Sequence, residues 1–301
     1  MAIQAATRRV ATFSGLGAIL LWAVLALFTA GTGAIPPFQL TAMTFCIAFL
    51  AALLKWIMTG TDLRRLLKLP RAVWLLGVGG LFGYHFFYFL ALKNAPPAEA
   101  SLIAYLWPLL IILFSALLPG ERFHWFHIAG GGLSLLGAGL LISKGEGFNF
   151  AAENLTGYAA AICCAFIWSS YSVLSRRFAS VSSDAIGLFC GATALLALFC
   201  HLAFEETVLP ATVSTWASVL ALGFGPVGVA FFLWDKGMKH GDIQLLGVLS
   251  YLSPLLSTLI LLSVGVAVFS WSLLAGCLLI TGGAAVGSYP VFRAFSKAGK
   301  A

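Results

Sequence analysis

The second half of this 301-residue chain repeats the first half at a constant offset of 146 residues, and no gap is needed to keep them in register. Because repeated sequence folds into repeated structure, the offset predicts two equivalent units, residues 1–148 and 149–301. Residues of the first half that recur at this offset include Trp22, Gly77, Gly79, Phe86, Lys93, Tyr105, Leu106, Pro108, Leu109, Leu110, Trp125 and Gly130.

The chain has too few polar residues to coat a soluble globule. Hydrophobic residues make up 61% of the sequence and charged residues only 9%, which is typical of a protein that lives in a lipid bilayer. The net charge of +7 does not indicate nucleic-acid binding, because the basic residues are scattered over short loops and form no patch. We therefore expect the lipid bilayer, and no nucleic acid, among its partners.

Ten apolar stretches approach the roughly 20 residues that a membrane-spanning helix needs. Long alternating segments, typical of strands, are absent, so helices are expected to satisfy the backbone in lipid. The sequence predicts an all-α membrane protein with ten transmembrane helices, five in each repeat. The predicted helices cover residues 12–30, 38–58, 72–93, 97–118, 124–143, 155–175, 184–204, 214–236, 242–265 and 271–292.

Lysine and arginine predict the orientation, since short cytoplasmic loops collect basic residues. With the N-terminus inside, 15 basic residues fall on the cytoplasmic side, and only Lys93 and Lys144 fall on the other. Both termini are therefore predicted to be cytoplasmic. Because five is an odd number, the second five-helix repeat must be inverted relative to the first. The inner set is Arg8, Arg9, Lys55, Arg64, Arg65, Lys68, Arg71, Arg122, Arg176, Arg177, Lys236, Lys239, Arg293, Lys297 and Lys300.

Predicted helices 3 and 4 carry aromatic side chains with polar tips near the middle of their apolar stretches. Such groups usually lie at the headgroup level or around a hydrated cavity. Their depth argues against an interfacial belt, so we predict that they line a cavity. The alternative is core packing with the polar tips bonded to neighbouring helices. The residues are Tyr84, His85, Tyr88, Tyr105 and Trp107.

Pro108 and Pro254 occupy the same position in the two repeats, inside predicted helices 4 and 9. A proline inside a helix removes a hydrogen bond and frees a carbonyl. In transporters, such breaks expose backbone acceptors to substrate and permit bending. A purely structural kink is the alternative, but the matched pair favours a substrate site between the two repeats.

Charge inside a membrane usually marks function, so its near absence is informative. Acidic residues such as Glu99 and Asp235 fall at the ends of predicted helices, where they can reach the interface. His85 is the histidine nearest a helix centre, either as a neutral packing residue or as a proton carrier. With no buried carboxylate in view, we predict facilitated diffusion rather than proton-driven antiport.

The sequence does not predict an enzyme. Paired mid-helix aspartates and an H-E-x-x-H motif are absent, while a serine and a histidine on facing helices remain an open alternative. The six cysteines form no C-x-x-C pair, so neither a metal nor another cofactor is indicated. A membrane scaffold or receptor is a further alternative, but it would not need paired kinked helices.

Small residues line helix contacts in membranes, and two glycine motifs fit that pattern. They are Gly79-x-x-x-Gly83 and Gly283-x-x-x-Gly287. We predict that they pack helices within one subunit, and we expect a monomer.

The doubled ten-helix layout resembles the EamA branch of the drug/metabolite transporters. The resemblance rests on the Trp22 and Trp168 pair, the matched prolines and the Gly120-Glu121-Arg122 opening of helix 5. It implies a multi-pass protein of the bacterial inner membrane.

More narrowly, the segments around Tyr84 and Tyr105 resemble those of family members that export aromatic amino acids and pass methyl viologen. This implies aromatic and other neutral amino acids as small-molecule substrates, with flat organic cations as further cargo. A proton-coupled exporter of drugs or quaternary cations is the alternative. The implied substrate-binding residues are Trp22, Tyr84, His85, Tyr88, Tyr105, Trp107, Pro108, Trp168, Ser253 and Pro254.

Overall fold

The computed structural model describes residues 2–119, 124–265 and 268–289, with side chains from residue 6 onward. Every regular element in these ranges is helical, as predicted. Nine of the helices are long and apolar enough to cross a membrane. In chain order, helices 1 to 9 are Ala6–Ala30, Pro37–Thr59, Arg71–Asn94, Pro97–Ser115, Trp125–Ile142, Ala152–Phe178, Ala185–Phe204, Val213–His240 and Ile243–Ser263.

The tenth predicted stretch forms a shorter helix. Helix 10 covers Trp271–Gly287 and has 17 residues, whereas a spanning helix needs roughly 20. Each of the ten predicted segments thus contains a helix in the described residues, and nine of these helices have the length of a membrane span. The Gly120-Glu121-Arg122 segment lies outside the described residues.

Prolines and polar caps set the ends of several helices. Helix 2 begins at Pro37, where a proline in the first turn costs no helical hydrogen bond. It ends at Thr59, and the next residue, Gly60, has a φ of 64°, the left-handed conformation that favours glycine. Asp242 and Ser270 cap helices 9 and 10, because each side chain accepts a hydrogen bond from the backbone N–H three residues on.

The two halves pack against each other through equivalent helices. Helix 1 lies against helices 8 and 9, and its counterpart helix 6 lies against helices 3 and 4. Helix 2 contacts helix 7, helix 4 contacts helix 9, and helix 5 contacts helix 10. If each helix is replaced by its counterpart in the other half, the same set of helix contacts results, so the packing in these contacts has two-fold symmetry.

Helices 5 and 10 run antiparallel where they meet. A Cβ at Gly130 would lie 2.5 Å from the Gly283 carbonyl oxygen and 2.7 Å from the Gly287 nitrogen. One at Gly137 would lie 2.7 Å from the Gly276 carbonyl oxygen. Residue numbers therefore rise along one helix as they fall along the other, and only glycine fits such close backbone contacts. The Gly283-x-x-x-Gly287 motif packs helices of one subunit, as predicted.

Helices 2 and 7 are also antiparallel. A Cβ at Gly187 would lie 2.5 Å from the Trp56 ring, and one at Gly191 would lie 2.9 Å from the Phe49 ring.

Gly79 differs from these glycines. A Cβ at Gly79 would meet no atom within 4 Å, so the predicted helix contact at this residue is wrong. The reason is its position on helix 3, where it is exposed on the outer face of the bundle.

Candidate functional site

Four indole rings meet where the two halves of the bundle join. Trp22 of helix 1, Trp107 of helix 4, Trp168 of helix 6 and Trp234 of helix 8 all contact one another, with ring centroids 5.1 to 6.4 Å apart. Several pairs are edge-to-face, which is a preferred geometry of aromatic rings. Trp22 is half-buried and the other three are buried. We call these four residues the indole cluster.

Hydrogen bonds hold two of the indoles in place. Helix 8 contains a π-helical turn, Gly225–Val229, and such turns are frequent at functional sites. Within it, the Pro226 carbonyl accepts a 3.0 Å hydrogen bond from Trp22 Nε1. Trp234 Nε1 donates a 3.0 Å hydrogen bond to Ser172 Oγ. An irregular turn in the second half therefore orients an indole of the first half.

Two tyrosines extend the indole cluster along helix 3. The Tyr84 ring lies 5.3 Å from Trp168 and stacks on Tyr88 at 5.9 Å, as expected for residues four apart on a helix. The Tyr88 hydroxyl lies 3.2 Å from Ser101 Oγ on helix 4. Both tyrosines are half-buried. They add hydroxyl groups to a surface made of aromatic rings.

His85 packs among aromatic rings beside these tyrosines. Its ring lies 5.1 Å from Phe45 and 6.1 Å from Phe89. Its Nδ1 lies 2.8 Å from the Leu81 carbonyl oxygen. Since a carbonyl can only accept, Nδ1 carries the proton that is donated. This is the environment of a neutral packing histidine.

Helices 4 and 9 are interrupted at equivalent positions, as the matched prolines predict. Pro108 and Pro254 lie in the first turn of the segment after each break, where a missing N–H is tolerated. The segments are Pro97–Ala104 and Trp107–Ser115 in helix 4, and Ile243–Leu249 and Leu252–Ser263 in helix 9.

One carbonyl at these breaks already has a partner. The Tyr251 hydroxyl donates a 3.1 Å hydrogen bond to the backbone carbonyl of Tyr105, so in this conformation that acceptor is not available to a substrate. Tyr105 packs against a buried cluster that contains Tyr251, Leu255 and Ile280.

The predicted site residues therefore fall into two groups. Six of them share one network of ring contacts. The other four lie in helices 4 and 9, at or next to the breaks, and the two prolines and the serine among them are buried. The first group is Trp22, Tyr84, His85, Tyr88, Trp107 and Trp168, and the second is Tyr105, Pro108, Ser253 and Pro254.

The residues of this aromatic surface that are missing from the predicted set include Trp234, Phe231 and Pro226. Phe231 contacts two rings of the indole cluster, at 5.7 and 6.1 Å. The sequence repeat could have predicted Trp234 and Phe231, because they occupy the positions equivalent to Tyr88 and His85 at the offset of 146 residues. Pro226, inside a predicted helix, was a further signal of an irregular turn.

Two carboxylates are buried, contrary to the prediction that they reach the interface. Asp235 is 3% exposed, forms an ion pair with Lys239 Nζ at 2.8 Å and accepts a hydrogen bond from Ser183 Oγ at 2.6 Å. Glu99 is 5% exposed and accepts hydrogen bonds from the Tyr158 hydroxyl and a backbone N–H. The prediction was wrong because both loops and helices bring partners to these carboxylates: Ser183 and Asn149 lie in loops, and Tyr158 lies in helix 6.

Ion pairs join the two halves at the end of the bundle that carries Arg8. Arg8 pairs with Asp242 at 3.1 Å, and Lys55 of helix 2 pairs with Asp184 before helix 7. Partial burial opposes ionisation of Asp184, but hydrogen bonds from Lys55 and Ser182 outweigh it and lower the pKa of this carboxyl. This end of the bundle, which we call the Arg8 end, is therefore cross-linked by charge.

Known proteins match this chain over nearly its whole length. The model of the EamA-like transporter family matches residues 10–143 and 155–289. The aromatic amino acid exporter YddG of Ancylobacter novellus is 55% identical, over 93% of this chain and 97% of that protein. YddG of Escherichia coli is 27% identical, over 92% and 96%.

A solved crystal structure superposes with a TM-score of 0.90 and 54% identity, covering 95% of this chain and 99% of that one. The resemblance predicted from the sequence, to the EamA branch and to exporters of the YddG type, is confirmed by these matches.

Proposed function

Because this chain belongs to the EamA-like transporter family, we propose that it exports aromatic and other neutral amino acids from the cell by alternating access. It is a multi-pass membrane protein, and similar proteins are named as exporters rather than as enzymes. The substrate class is supported by the name of these relatives and by the aromatic surface described above.

The observation that carries the proposal is the indole cluster with Tyr84 and Tyr88 beside it. An aromatic ring that stacks on such a surface gains about 0.5 to 1.5 kcal/mol per ring contact. The tyrosine hydroxyls and ordered water are available to the amino and carboxylate groups of the substrate. Several weak contacts suit a transporter, because very tight binding would slow release.

The same rings support flat organic cations as additional cargo. A cation over an aromatic face gains about 0.5 to 2 kcal/mol. Asp235, the buried carboxylate that follows Trp234 in helix 8, is already paired with Lys239, so recognition of a cation would rest on the rings themselves. No second site is required.

Alternating access is supported by the arrangement of the two halves. The chain would consist of two inverted repeats, residues 1–148 and 149–301, with helix 10 as the tenth span. Antiparallel contacts between equivalent helices, such as Gly130 with Gly283, are what inversion of one repeat produces. The substrate surface lies between the repeats, so rocking one against the other would expose it to each side in turn.

We further propose that the Arg8 end faces the cytoplasm in the inner membrane. This orientation places both termini inside, as the positive-inside bias favours. We propose a monomer, because the glycine contacts between helices 5 and 10 are satisfied within the chain.

Facilitated diffusion is the mechanism we favour, because His85 packs against phenylalanine rings, and apolar surroundings disfavour a charged imidazolium. The alternative, a proton-coupled exporter of drugs or quaternary cations, draws on one specific observation. Asp235 is a buried carboxylate that pairs with Lys239 and follows Trp234 in helix 8, so an ion pair lies directly beside the indole cluster.

Counterflow in proteoliposomes tests the proposal. Vesicles loaded with unlabelled phenylalanine should accumulate labelled phenylalanine or tryptophan without a pH gradient, and empty vesicles should not. Accumulation that requires a pH gradient would favour the proton-coupled alternative. Absence of amino acid counterflow, together with uptake of a quaternary cation, would refute amino acid export.

A further inference from the structure

A groove on the lipid-facing surface lies between helices 3 and 7. It encloses about 490 Å³, and Leu75 on its wall is 80% exposed, so the groove opens away from the indole cluster. The lining is apolar apart from one basic residue at its end. Residues that form it include Arg71, Trp74, Leu75, Gly79, Phe82 and Leu196.

Two glycines shape the groove. A Cβ at Gly79 would meet no atom within 4 Å, and one at Gly83 would touch only the Ile167 side chain, at 3.5 Å. The Gly79-x-x-x-Gly83 motif therefore makes no contact with another described helix at Gly79. The absence of side chains at both positions leaves room for a ligand along helix 3.

Arg71 lies at the end of the groove as the first residue of helix 3. It is exposed, and no carboxylate of the described chain pairs with it. Trp74 lies one turn along the helix and forms a side of the groove, with its ring 5.6 Å from Phe189. An unpaired guanidinium and an indole at the end of an apolar groove match the headgroup level of a bilayer.

The length of the groove matches one leaflet. Helix 3 rises about 18 Å from Arg71 to Gly83, at about 1.5 Å per residue. Half of the hydrocarbon core is roughly 15 Å thick. A ligand with its charge at Arg71 would therefore reach the middle of the membrane at Gly83, as an acyl chain does.

We propose that this groove is a binding site for an anionic phospholipid. One acyl chain lies along Gly79 and Gly83, and the phosphate contacts Arg71. Helix 3 belongs to the first half of the chain and helix 7 to the second, so the bound lipid contacts both halves. A zwitterionic lipid with the same chains binds less tightly, because its headgroup carries no net charge for Arg71 to neutralise.

Native mass spectrometry of the purified full chain in detergent tests the acyl-chain contact. The probe is phosphatidylglycerol with 16-carbon chains. Gly79→Leu fills the groove without a clash, and Gly132→Leu is the matched control, because a Cβ at Gly132 also meets no atom within 4 Å. Gly79→Leu should weaken binding about tenfold, the factor for roughly two displaced methylene groups. Gly132→Leu should bind like the parent protein.

A second pair of variants tests the phosphate contact. Arg71→Gln should weaken phosphatidylglycerol binding about fivefold, the factor for one basic residue at an anionic surface. It should weaken phosphatidylcholine binding less, because the choline group already cancels the charge of that phosphate. Arg177→Gln, at another exposed arginine, is the control and should change the binding of neither phosphatidylglycerol nor phosphatidylcholine.

Four results would overturn the proposal. Equal phosphatidylglycerol affinity of Gly79→Leu and Gly132→Leu would show that the lipid does not bind in the groove. Equal affinity for phosphatidylglycerol with eight-carbon and with 16-carbon chains would show that the acyl chain does not contribute to binding. Competition by inorganic phosphate would indicate a free-anion site. A dimer that Gly79→Leu alone disrupts would make a second copy of the chain the occupant.

Discussion

The Tyr251 hydroxyl donates a 3.1 Å hydrogen bond to the carbonyl of Tyr105, its own counterpart in the other half of the chain. Tyr251 is fully buried, and the acceptor lies at the break in helix 4. This bond therefore connects the two halves at the point where helix 4 is interrupted.

Replacing Tyr251 by Phe should destabilise the protein by about 0.5–1.5 kcal/mol, because it removes the part-buried hydrogen bond to the Tyr105 carbonyl. Thermal unfolding in detergent measures the loss. Tyr105→Phe is the matched control, since it removes a hydroxyl but keeps the backbone carbonyl. Equal losses in the two variants would show that the hydrogen bond is not the cause.

Trp168→Phe should weaken apparent substrate affinity about two- to tenfold, because Trp168 contacts every other member of the indole cluster and Tyr84. Concentration dependence of counterflow measures this effect. Trp216→Phe is the control, because Trp216 is 46% exposed and belongs to the same bundle. Unchanged affinity in Trp168→Phe would remove this ring from the site.

Replacing His85 by Gln should leave the pH dependence of counterflow unchanged between about pH 6 and 8, where an unperturbed histidine titrates. The reason is its packing against the rings of Phe45 and Phe89, since apolar surroundings disfavour a charged imidazolium. A profile that flattens only in this variant would assign His85 a proton-linked role. Detergent stability of the variant serves as the folding control.

Asp235→Asn should destabilise the protein by about 3–5 kcal/mol, because it leaves the buried ammonium of Lys239 unpaired. The double variant with Lys239→Met should recover part of this loss, since it removes both charges. Thermal unfolding of the two single variants and the double variant completes the cycle. Additive losses would mean that the pair is not coupled.

Much of the candidate site follows from residue type and spacing. Tyr84 and Tyr88 are four residues apart, which predicts the stacking found on helix 3. Pro108 and Pro254 recur in both repeats, and the breaks in helices 4 and 9 follow from the proline ring. These features depend on interactions within a few turns of one helix, so no knowledge of neighbouring helices was needed.

The burial of Asp235 could not be predicted in the same way. Its partner Ser183 is 52 residues away, in the loop between helices 6 and 7. In the sequence, Asp235 near a predicted helix end is indistinguishable from a residue that reaches the interface. Its environment depends on the path of a loop that local patterns do not specify.

The sequence by itself determined the lipid environment, the helices and the duplication, because hydropathy and a constant offset of 146 residues are properties of the chain alone. Only the tertiary structure decided that Trp234 joins Trp22 and that Gly79 lies in an open groove. The physical reason is the sequence separation between the residues that interact. Helix formation depends on residues within a few turns, whereas the faces that meet depend on packing between helices far apart in the chain.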